Sequence, residues 1–168
     1  MSQYEELLEE FERYGRSSDG VKSLMQHIAE RLHKAMTRYN WVGFYFMEAP
    51  AFEALVLGPY AGSFMPTLRI PLDKGLCGAA ATSGKTVVIN NVKADPRYLG
   101  SDLVKSNIVV PIFVKKGAMK KQVVAELCIE SYFADTFDQP EQEFIESCAA
   151  LVGRYIQKEA AAATEKAP

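Results

Sequence analysis

The order of helical and strand-like patterns along the chain is the feature that most constrains its fold. Apolar residues recur at helical spacing in residues 4–14 and 21–36, and again in residues 144–156. Between them lie short strand-like runs, turns, and one short helix-like stretch at 75–85 that Gly84 closes. Strands this short, with no regular alternation between strand and helix, favour an antiparallel sheet with helices packed on it. The pattern therefore predicts an α+β fold.

Alternation and turn residues locate the strands. We expect strands at 41–47, 52–57, 67–71 and 86–89, and an irregular polar loop at 95–107. The runs NIVVPIFVKK and KQVVAELCIE flank a turn around Gly117, which predicts a hairpin. Asp138, with Glu141 three residues later, resembles a capping box, so the last helix is expected to begin there.

Composition excludes several classes of function. The chain has 168 residues, of which 48% are hydrophobic, as expected for a single domain. We expect this domain at 1–158, followed by an Ala-rich tail at 159–168 that frays. Its net charge is −2 and it has no basic stripe, so neither nucleic acid nor a membrane is an expected partner. No apolar run reaches the roughly 18 residues of a membrane span. An acidic, amphipathic N-terminus and three cysteines without close pairing favour a cytoplasmic protein.

Strand-like residues 41–46 place polar aromatic side chains on one face. Alternation puts Trp41, Gly43 and Tyr45 together, while the opposite face is apolar throughout. The indole N–H and the phenol either line a pocket around the gap at Gly43 or pack in a core with their polar atoms satisfied elsewhere.

The strand QVVAELCIE carries two acids and a thiol on one face, namely Glu126, Cys128 and Glu130. Glu126 is interpreted as facing solvent. Cys128 and Glu130 are harder to assign to solvent, because the order of the strands places this one in the middle of the sheet. A carboxylate on a partly covered face needs a cation or hydrogen-bond donors.

The remaining candidates for chemistry are few. Cys77 stands at the start of the short helix, where backbone N–H groups and the helix dipole would favour a thiolate; alternatively it is a small packed residue between glycines. Cys148 falls on the apolar stripe of the last helix and is expected in the core. His27 and His33 are six residues apart on a helix and therefore on different faces, so neither a metal site nor a cofactor is predicted.

Four motifs resemble the GAF domain, in the same order and with similar gaps. They are NWVGFY at 40–45, LGPYAG at 57–62, RIP at 69–71 leading to GLCG at 75–78, and IVVP at 108–111. More narrowly, they resemble its branch of free methionine-(R)-sulfoxide reductases, over roughly residues 40–156. The resemblance implies a central antiparallel sheet with N- and C-terminal helices packed on one face, a loop-roofed ligand pocket on the other, and a homodimer.

The catalytic residues implied by this resemblance are incomplete. In that branch a cysteine thiolate attacks the sulfoxide sulfur, a second cysteine resolves the sulfenic acid as a disulfide, and thioredoxin reduces the disulfide. The resolving position matches Cys77. The attacking cysteine, which is followed by Asp, matches the stretch YLGSD, so Gly100 or Ser101 stands in its place ahead of Asp102. A serine hydroxyl cannot pass through the sulfenic and disulfide states that carry the electrons.

The resemblance also implies which residues would bind a ligand. Trp41 and Tyr45 match the family's aromatic wall. Its three substrate-binding acids are matched by Asn107, Cys128 and Glu130, so only one acid remains. Since charged hydrogen bonds contribute about 1.5–3 kcal/mol each, this predicts weakened binding of methionine sulfoxide. The expected ligand-binding residues are Trp41, Tyr45, Ser101, Asp102, Asn107, Cys128 and Glu130.

Three hypotheses follow from the sequence. The first is a GAF-type binding protein for a small-molecule ligand, without reductase activity. The alternative is a free methionine-(R)-sulfoxide reductase working through Cys77 and Cys128, with thioredoxin as its partner. A third, compatible with either, is that the amphipathic terminal helices form an interaction surface.

Overall fold

A computed structural model describes residues 1–166 of the protein. Its helices are α1 (Gln3–Ser17), α2 (Val21–Ala35), α3 (Gly75–Ser83) and α4 (Gln139–Lys166), with a 3-10 turn at Val92–Ala94. Its strands are β1 (Trp41–Met47), β2 (Ala54–Gly62), β3 (Arg69–Pro71), β4 (Val87–Ile89), β5 (Ser106–Lys116) and β6 (Lys120–Ser131). No helix among these residues is long and apolar enough to cross a membrane.

The six strands form one antiparallel sheet in the order β3-β2-β1-β6-β5-β4. β1 and β6 are central, and their register pairs Trp41 with Glu130, Gly43 with Cys128 and Tyr45 with Glu126. β5 and β6 form the hairpin that the sequence predicts. The predicted α+β fold, with an antiparallel sheet at its centre, is confirmed.

The main hydrophobic core lies between one face of this sheet and helices α1, α2 and α4. It takes alternate residues of the central strands, such as Val42, Phe44 and Leu127, together with the apolar stripes of the helices. We call this set of residues the helix-side core. Its largest fully buried side chains include Phe11, Leu24, Met25, Ile28 and Leu32. Burial of about 1.5–3 kcal/mol per large apolar side chain makes this layer the principal source of stability.

Local capping fixes where the helices begin and end. Ser2 and Glu5 form a reciprocal capping box at the start of α1. The Asp138 carboxylate accepts a hydrogen bond from the Glu141 N–H at 3.0 Å, as a cap for α4. Gly84 closes α3 in the left-handed conformation, with φ of 69°, a region that favours glycine.

Three boundaries differ from the sequence-based expectations by about three residues or more. α4 continues to Lys166, where a frayed tail from 159 was predicted, because its alanines have the highest helix propensity; residues 167–168 of that tail lie outside the described part. β2 extends to Gly62 since its last residues keep pairing with β1. α2 ends at Ala35 instead of near Arg38, and the N–H of Met36 closes it on the Leu32 carbonyl.

Candidate functional site

The face of the sheet opposite the helix-side core carries a second, smaller apolar cluster. We call it the cavity-side cluster; its buried residues are Trp41, Tyr45, Leu55, Leu76, Cys77, Ala80, Val109 and Cys128. Helix α3 contributes three of these residues and so covers this face. Between α3, the sheet and the loop that follows β4 lies a cavity of about 240 Å³. Its lining includes Tyr45, Cys77, Tyr98, Asn107, Cys128 and Glu130.

Glu130 is the acidic group of this cavity. The Tyr98 hydroxyl donates a hydrogen bond to its Oε1 at 3.0 Å, and the Asn107 side-chain amide donates to the same oxygen at 3.2 Å. Asn107 can do so because it stands opposite Glu130 in the β5–β6 register. Burial raises the pKa of Glu130 to about 7, against the two hydrogen bonds, which lower it. Near neutral pH this carboxyl group can therefore hold or release a proton.

Tyr98 forms the roof of the cavity. It comes from the loop after the 3-10 turn, where an ion pair between Asp95 and Arg97, 2.7 Å apart, shapes the chain. The Tyr98 ring packs directly on Gly100, where a Cβ would overlap the phenol. A side chain at position 100 would therefore displace the roof from Glu130. No pattern in the sequence marked Tyr98 as a site residue, because its role depends on the fold of an irregular loop.

Two cysteine thiols meet in the wall of the same cavity. The neighbouring Cys77, followed by burial, raises the pKa of Cys128 well above its usual range. The Cys128 thiol also lies 3.9 Å from Oδ1 of Asn107, to which it donates. Cys148 lies apart from both, in the helix-side core, as predicted from its helical stripe. All three cysteines are unbridged.

Glu126 is buried, so the prediction that it faces solvent is wrong. Its side chain points to the cavity-side face, where it stands between Tyr45 of β1 and Pro111 of β5. Both carboxyl oxygens lack a hydrogen-bond partner among the described residues. Burial, followed by the neighbouring Cys77, raises the pKa of Glu126 well above its usual range. Its surroundings therefore favour the neutral form of this carboxyl group.

Trp41 and Tyr45 share the cavity-side face but take different positions. The Trp41 indole lies across Gly43 and Gly62, where a Cβ would overlap its ring, so it fills the gap that the sequence suggests at Gly43. Its Nε1 is buried without a partner among the described residues. Tyr45 lines the cavity, and its hydroxyl donates to the Thr67 carbonyl at 2.9 Å. Tyr45 is thus a wall residue, while Trp41 supports the wall from behind.

Ser101 and Asp102 lie outside the cavity lining formed by residues 1–166. The Ser101 hydroxyl accepts a hydrogen bond from the Leu103 N–H at 3.2 Å, which makes it part of a turn. Two basic residues that the sequence did not single out, Arg69 and Lys74, do line the cavity. Over the same residues, no group of three or more His, Cys, Asp or Glu side chains is arranged to hold a metal ion.

A larger groove, of about 880 Å³, runs between β5 and α4. Its walls include Phe113, Ala149 and Gly153, with Lys115 and Arg154 at the rim. It contains none of the predicted site residues, and its lining lacks a cysteine. Size alone therefore does not identify the functional site, and the chemistry is concentrated in the smaller cavity.

An antiparallel sheet with helices on one face, and a small cavity under loops on the other, is the architecture of a small-molecule-binding α+β domain. The chain belongs to the GAF domain family, whose model matches residues 21–156. The family resemblance seen in the sequence is thereby confirmed.

Relatives of known name agree with this assignment. The free methionine-R-sulfoxide reductase of Saccharomyces cerevisiae is 33% identical over 116 residues, a match that covers 68% of this chain and 62% of the yeast protein. The Escherichia coli protein of the same name is 26% identical over 154 residues, covering 91% and 88%. The crystal structure of the Neisseria meningitidis free methionine-R-sulfoxide reductase, in complex with its substrate, superposes with a TM-score of 0.83 at 29% identity, covering 94% and 91%. The match to the yeast protein spans less than two thirds of that protein's length.

Proposed function

We propose that this protein binds a small zwitterionic ligand of the amino-acid type in the cavity, without reducing it. The observation that carries the proposal is Glu130, a carboxyl group in the cavity wall held by two neutral donors. It takes part in no ion pair found among residues 1–166. A ligand ammonium group would supply the missing positive charge, and charge-assisted hydrogen bonds of this kind are the stronger ones.

The other lining residues fit the rest of such a ligand. Lys74 is exposed and Arg69 is partly held by Glu48, so both offer positive charge to a ligand carboxylate. Tyr45, Ile70 and Leu76 offer an apolar wall. At about 240 Å³ the cavity is smaller than the roughly 300–1,000 Å³ of sites for drug-sized ligands. An amino acid matches this size and charge pattern.

The absence of reduction rests on the position of the attacking cysteine in the family. Residues 100 and 101 match that position, and they are a glycine packed under Tyr98 and a serine bonded in a turn. Neither can form the sulfenic acid and disulfide on which thiol reduction depends. The family resemblance supports a homodimer, which light scattering of the purified protein tests. The acidic N-terminus and the unpaired cysteines support a cytoplasmic location.

Thermal denaturation in the presence of the standard amino acids, methionine-(R)-sulfoxide and common nucleotides tests binding. We expect one or more amino acids to raise the melting temperature. Glu130→Gln is expected to weaken that binding about 10- to 100-fold, because a charged hydrogen bond contributes about 1.5–3 kcal/mol. The exposed Glu9→Gln is the matched control and should bind as wild type. No stabilisation by any amino acid, or equal affinity in Glu130→Gln, would contradict the proposal.

A second function, reduction of a sulfoxide, is favoured by one observation: Cys77 and Cys128 interact in the wall of the cavity. Cys77 would attack the sulfoxide sulfur and release the sulfide, leaving a sulfenic acid. Cys128 would then attack that sulfur and expel water, which forms a disulfide. Two thiols and one sulfoxide thus give one disulfide, one sulfide and one water, and thioredoxin would return the disulfide to two thiols.

Turnover separates the two functions. Free methionine-(R)-sulfoxide is supplied with thioredoxin, thioredoxin reductase and NADPH, and NADPH consumption is followed. Under the binding proposal the rate equals that without protein. Under the second function wild type gives a rate above background, and this rate falls to background in both Cys77→Ser and Cys128→Ser. Cys148→Ser, whose change lies in the helix-side core, should retain the wild-type rate.

A further inference from the structure

Glu126 is a buried carboxyl group that the ligand-binding proposal does not use. It belongs to the cavity-side face of β6 but is not part of the cavity lining, and no described group hydrogen-bonds to it. Buried carboxyl groups without a partner cost about 1–3 kcal/mol, and they are rare in folded proteins. Such a group calls for a role that offsets this cost.

The neighbours of Glu126 are the two thiols. Cys77 packs with Cys128 in the cavity-side cluster, and Glu126 lies two residues before Cys128 on the same face of β6, so the three side chains are neighbours at the cavity wall. Cys77 is also one of the groups that raise the pKa of Glu126, after burial. Cys77 is the more accessible thiol, with 9% of its surface exposed against 3% for Cys128. It also occupies the first turn of α3, where the helix dipole favours negative charge. Cys77 is therefore the thiol better placed to act as a nucleophile toward a molecule in the cavity.

We infer that Glu126 is a positioning residue for Cys77: its neutral carboxyl group donates a hydrogen bond to the Cys77 thiolate and makes Cys77 the nucleophile of a redox-active pair with Cys128. The unpartnered proton of Glu126 then has an acceptor whenever Cys77 ionises. A neutral acid beside a thiolate stabilises it, whereas a carboxylate there would repel it. The inference does not depend on which ligand the cavity takes.

The chemistry of the pair can be written with a small disulfide, R–S–S–R, as the oxidant. The Cys77 thiolate attacks one sulfur, forms Cys77–S–S–R and expels RS⁻, which takes up the proton that Cys77 released to solvent. The Cys128 thiolate, after losing its proton to solvent, attacks the Cys77 sulfur, closes the Cys77–Cys128 disulfide and expels a second RS⁻, which is protonated in turn. Two electrons pass from the protein thiols to the oxidant, and Glu126 keeps its proton throughout.

Other ionisable groups face the same cluster, and the variants used in a test must leave these groups unchanged. They are Tyr45, Tyr98 and Glu130, which interact with Cys128, together with Arg69 and Lys74 of the cavity lining. Substitution of Glu126 alone leaves all of them in place. A change in the titration of Cys77 is then caused by the carboxyl group itself.

The test is the pH dependence of Cys77 alkylation by iodoacetamide, followed by peptide mass spectrometry in wild type, Glu126→Gln and Glu126→Val. Since a hydrogen bond to a charged group is worth about 1–2 pH units, we expect the midpoint in Glu126→Val to rise by that amount. Glu126→Gln, which retains a weaker neutral donor, should fall between the two. Circular dichroism verifies that each variant is folded, and Cys148 should stay unlabelled in all three.

The direction of the shift decides the outcome. An unchanged midpoint in Glu126→Val would overturn the inference, and a lower midpoint would equally overturn it by showing that Glu126 is a carboxylate that repels the thiolate.

Hydroxyethyl disulfide tests the pair: wild type should end with an internal disulfide and no adduct, while Cys128→Ser should keep one adduct on Cys77. A stable adduct on wild-type Cys77, or an adduct on Cys128, would equally overturn it. None of these measurements needs a bound ligand, so the inference can fail while the proposed function holds, and the reverse.

Discussion

Replacing Glu126 by valine should make the stability of the protein much less dependent on pH. Glu126 is fully buried, and its pKa in the folded protein lies well above the ordinary glutamate value of 4.5. Between those two pKa values the folded protein holds a proton that the unfolded chain has lost. Each rise in pH between them therefore favours unfolding, and this part of the pH dependence disappears when Glu126 is replaced.

The size of the effect follows from proton linkage. One proton of difference between the folded and unfolded states changes the free energy of unfolding by about 1.4 kcal/mol per pH unit. Each pH unit between the two pKa values should therefore cost wild type up to about 1.4 kcal/mol relative to Glu126→Val. Glu130, whose pKa is about 7, also titrates in this range, but it is present in both proteins and cancels in the difference.

Urea denaturation at several pH values measures this difference. Trp41 is the one tryptophan in the chain and is buried with 1% of its surface exposed, so its fluorescence reports the unfolding of the sheet. A reductant keeps the cysteines as thiols. Glu126→Gln should show the same pH dependence as Glu126→Val, with a constant offset of about 1–3 kcal/mol because its amide is buried without a partner.

A stability difference that does not change with pH would refute the reasoning. It would mean that Glu126 titrates at an ordinary pKa in the folded protein, and hence that water reaches it. Glu9→Gln, on the exposed face of α1, supplies the control. Its difference from wild type should stay constant over the same pH range.

The remaining predictions concern binding and packing. The ammonium group of an amino-acid ligand needs ionised Glu130, whose pKa is about 7, so calorimetry should find affinity falling up to about tenfold per pH unit below that value, and a flat profile would contradict this. Gly43→Ala should lower the free energy of unfolding by about 1–3 kcal/mol and shift the fluorescence of Trp41, because the new methyl overlaps the indole. A variant with wild-type stability and spectrum would contradict this. Asp138→Ala should cost about 0.5–2 kcal/mol in urea denaturation by uncapping α4, whereas Asp138→Asn should cost little.

Local patterns were sufficient to predict the layers of the fold. The alternation in residues 41–46 assigns Val42 and Phe44 to one face and Trp41 and Tyr45 to the other, and the two faces form separate apolar clusters. The period of two is a property of the extended backbone, so it survives any arrangement of the neighbouring elements. The same holds for the helical stripe that carries Cys148.

What covers each face could not be predicted in this way. Alternation placed Glu126 beside Cys128 and Glu130 but did not reveal that α3 packs over that face, so a buried acid was interpreted as an exposed one. Tyr98 was missed for a related reason, since the path of its loop is set by tertiary contacts and the Asp95–Arg97 ion pair. Ser101 and Asp102, expected at the site by resemblance, lie outside the lining given for residues 1–166.

The separation of the helix-side core from the cavity-side cluster has an evolutionary consequence. Most large buried side chains lie between the sheet and helices α1, α2 and α4, on the far side of the sheet from the cavity. Substitutions at distant, independent positions act additively on stability, so a residue on the cavity side can change without weakening the helix-side core that keeps the domain folded. One scaffold of this kind can thus take up different chemistry through changes on a single surface.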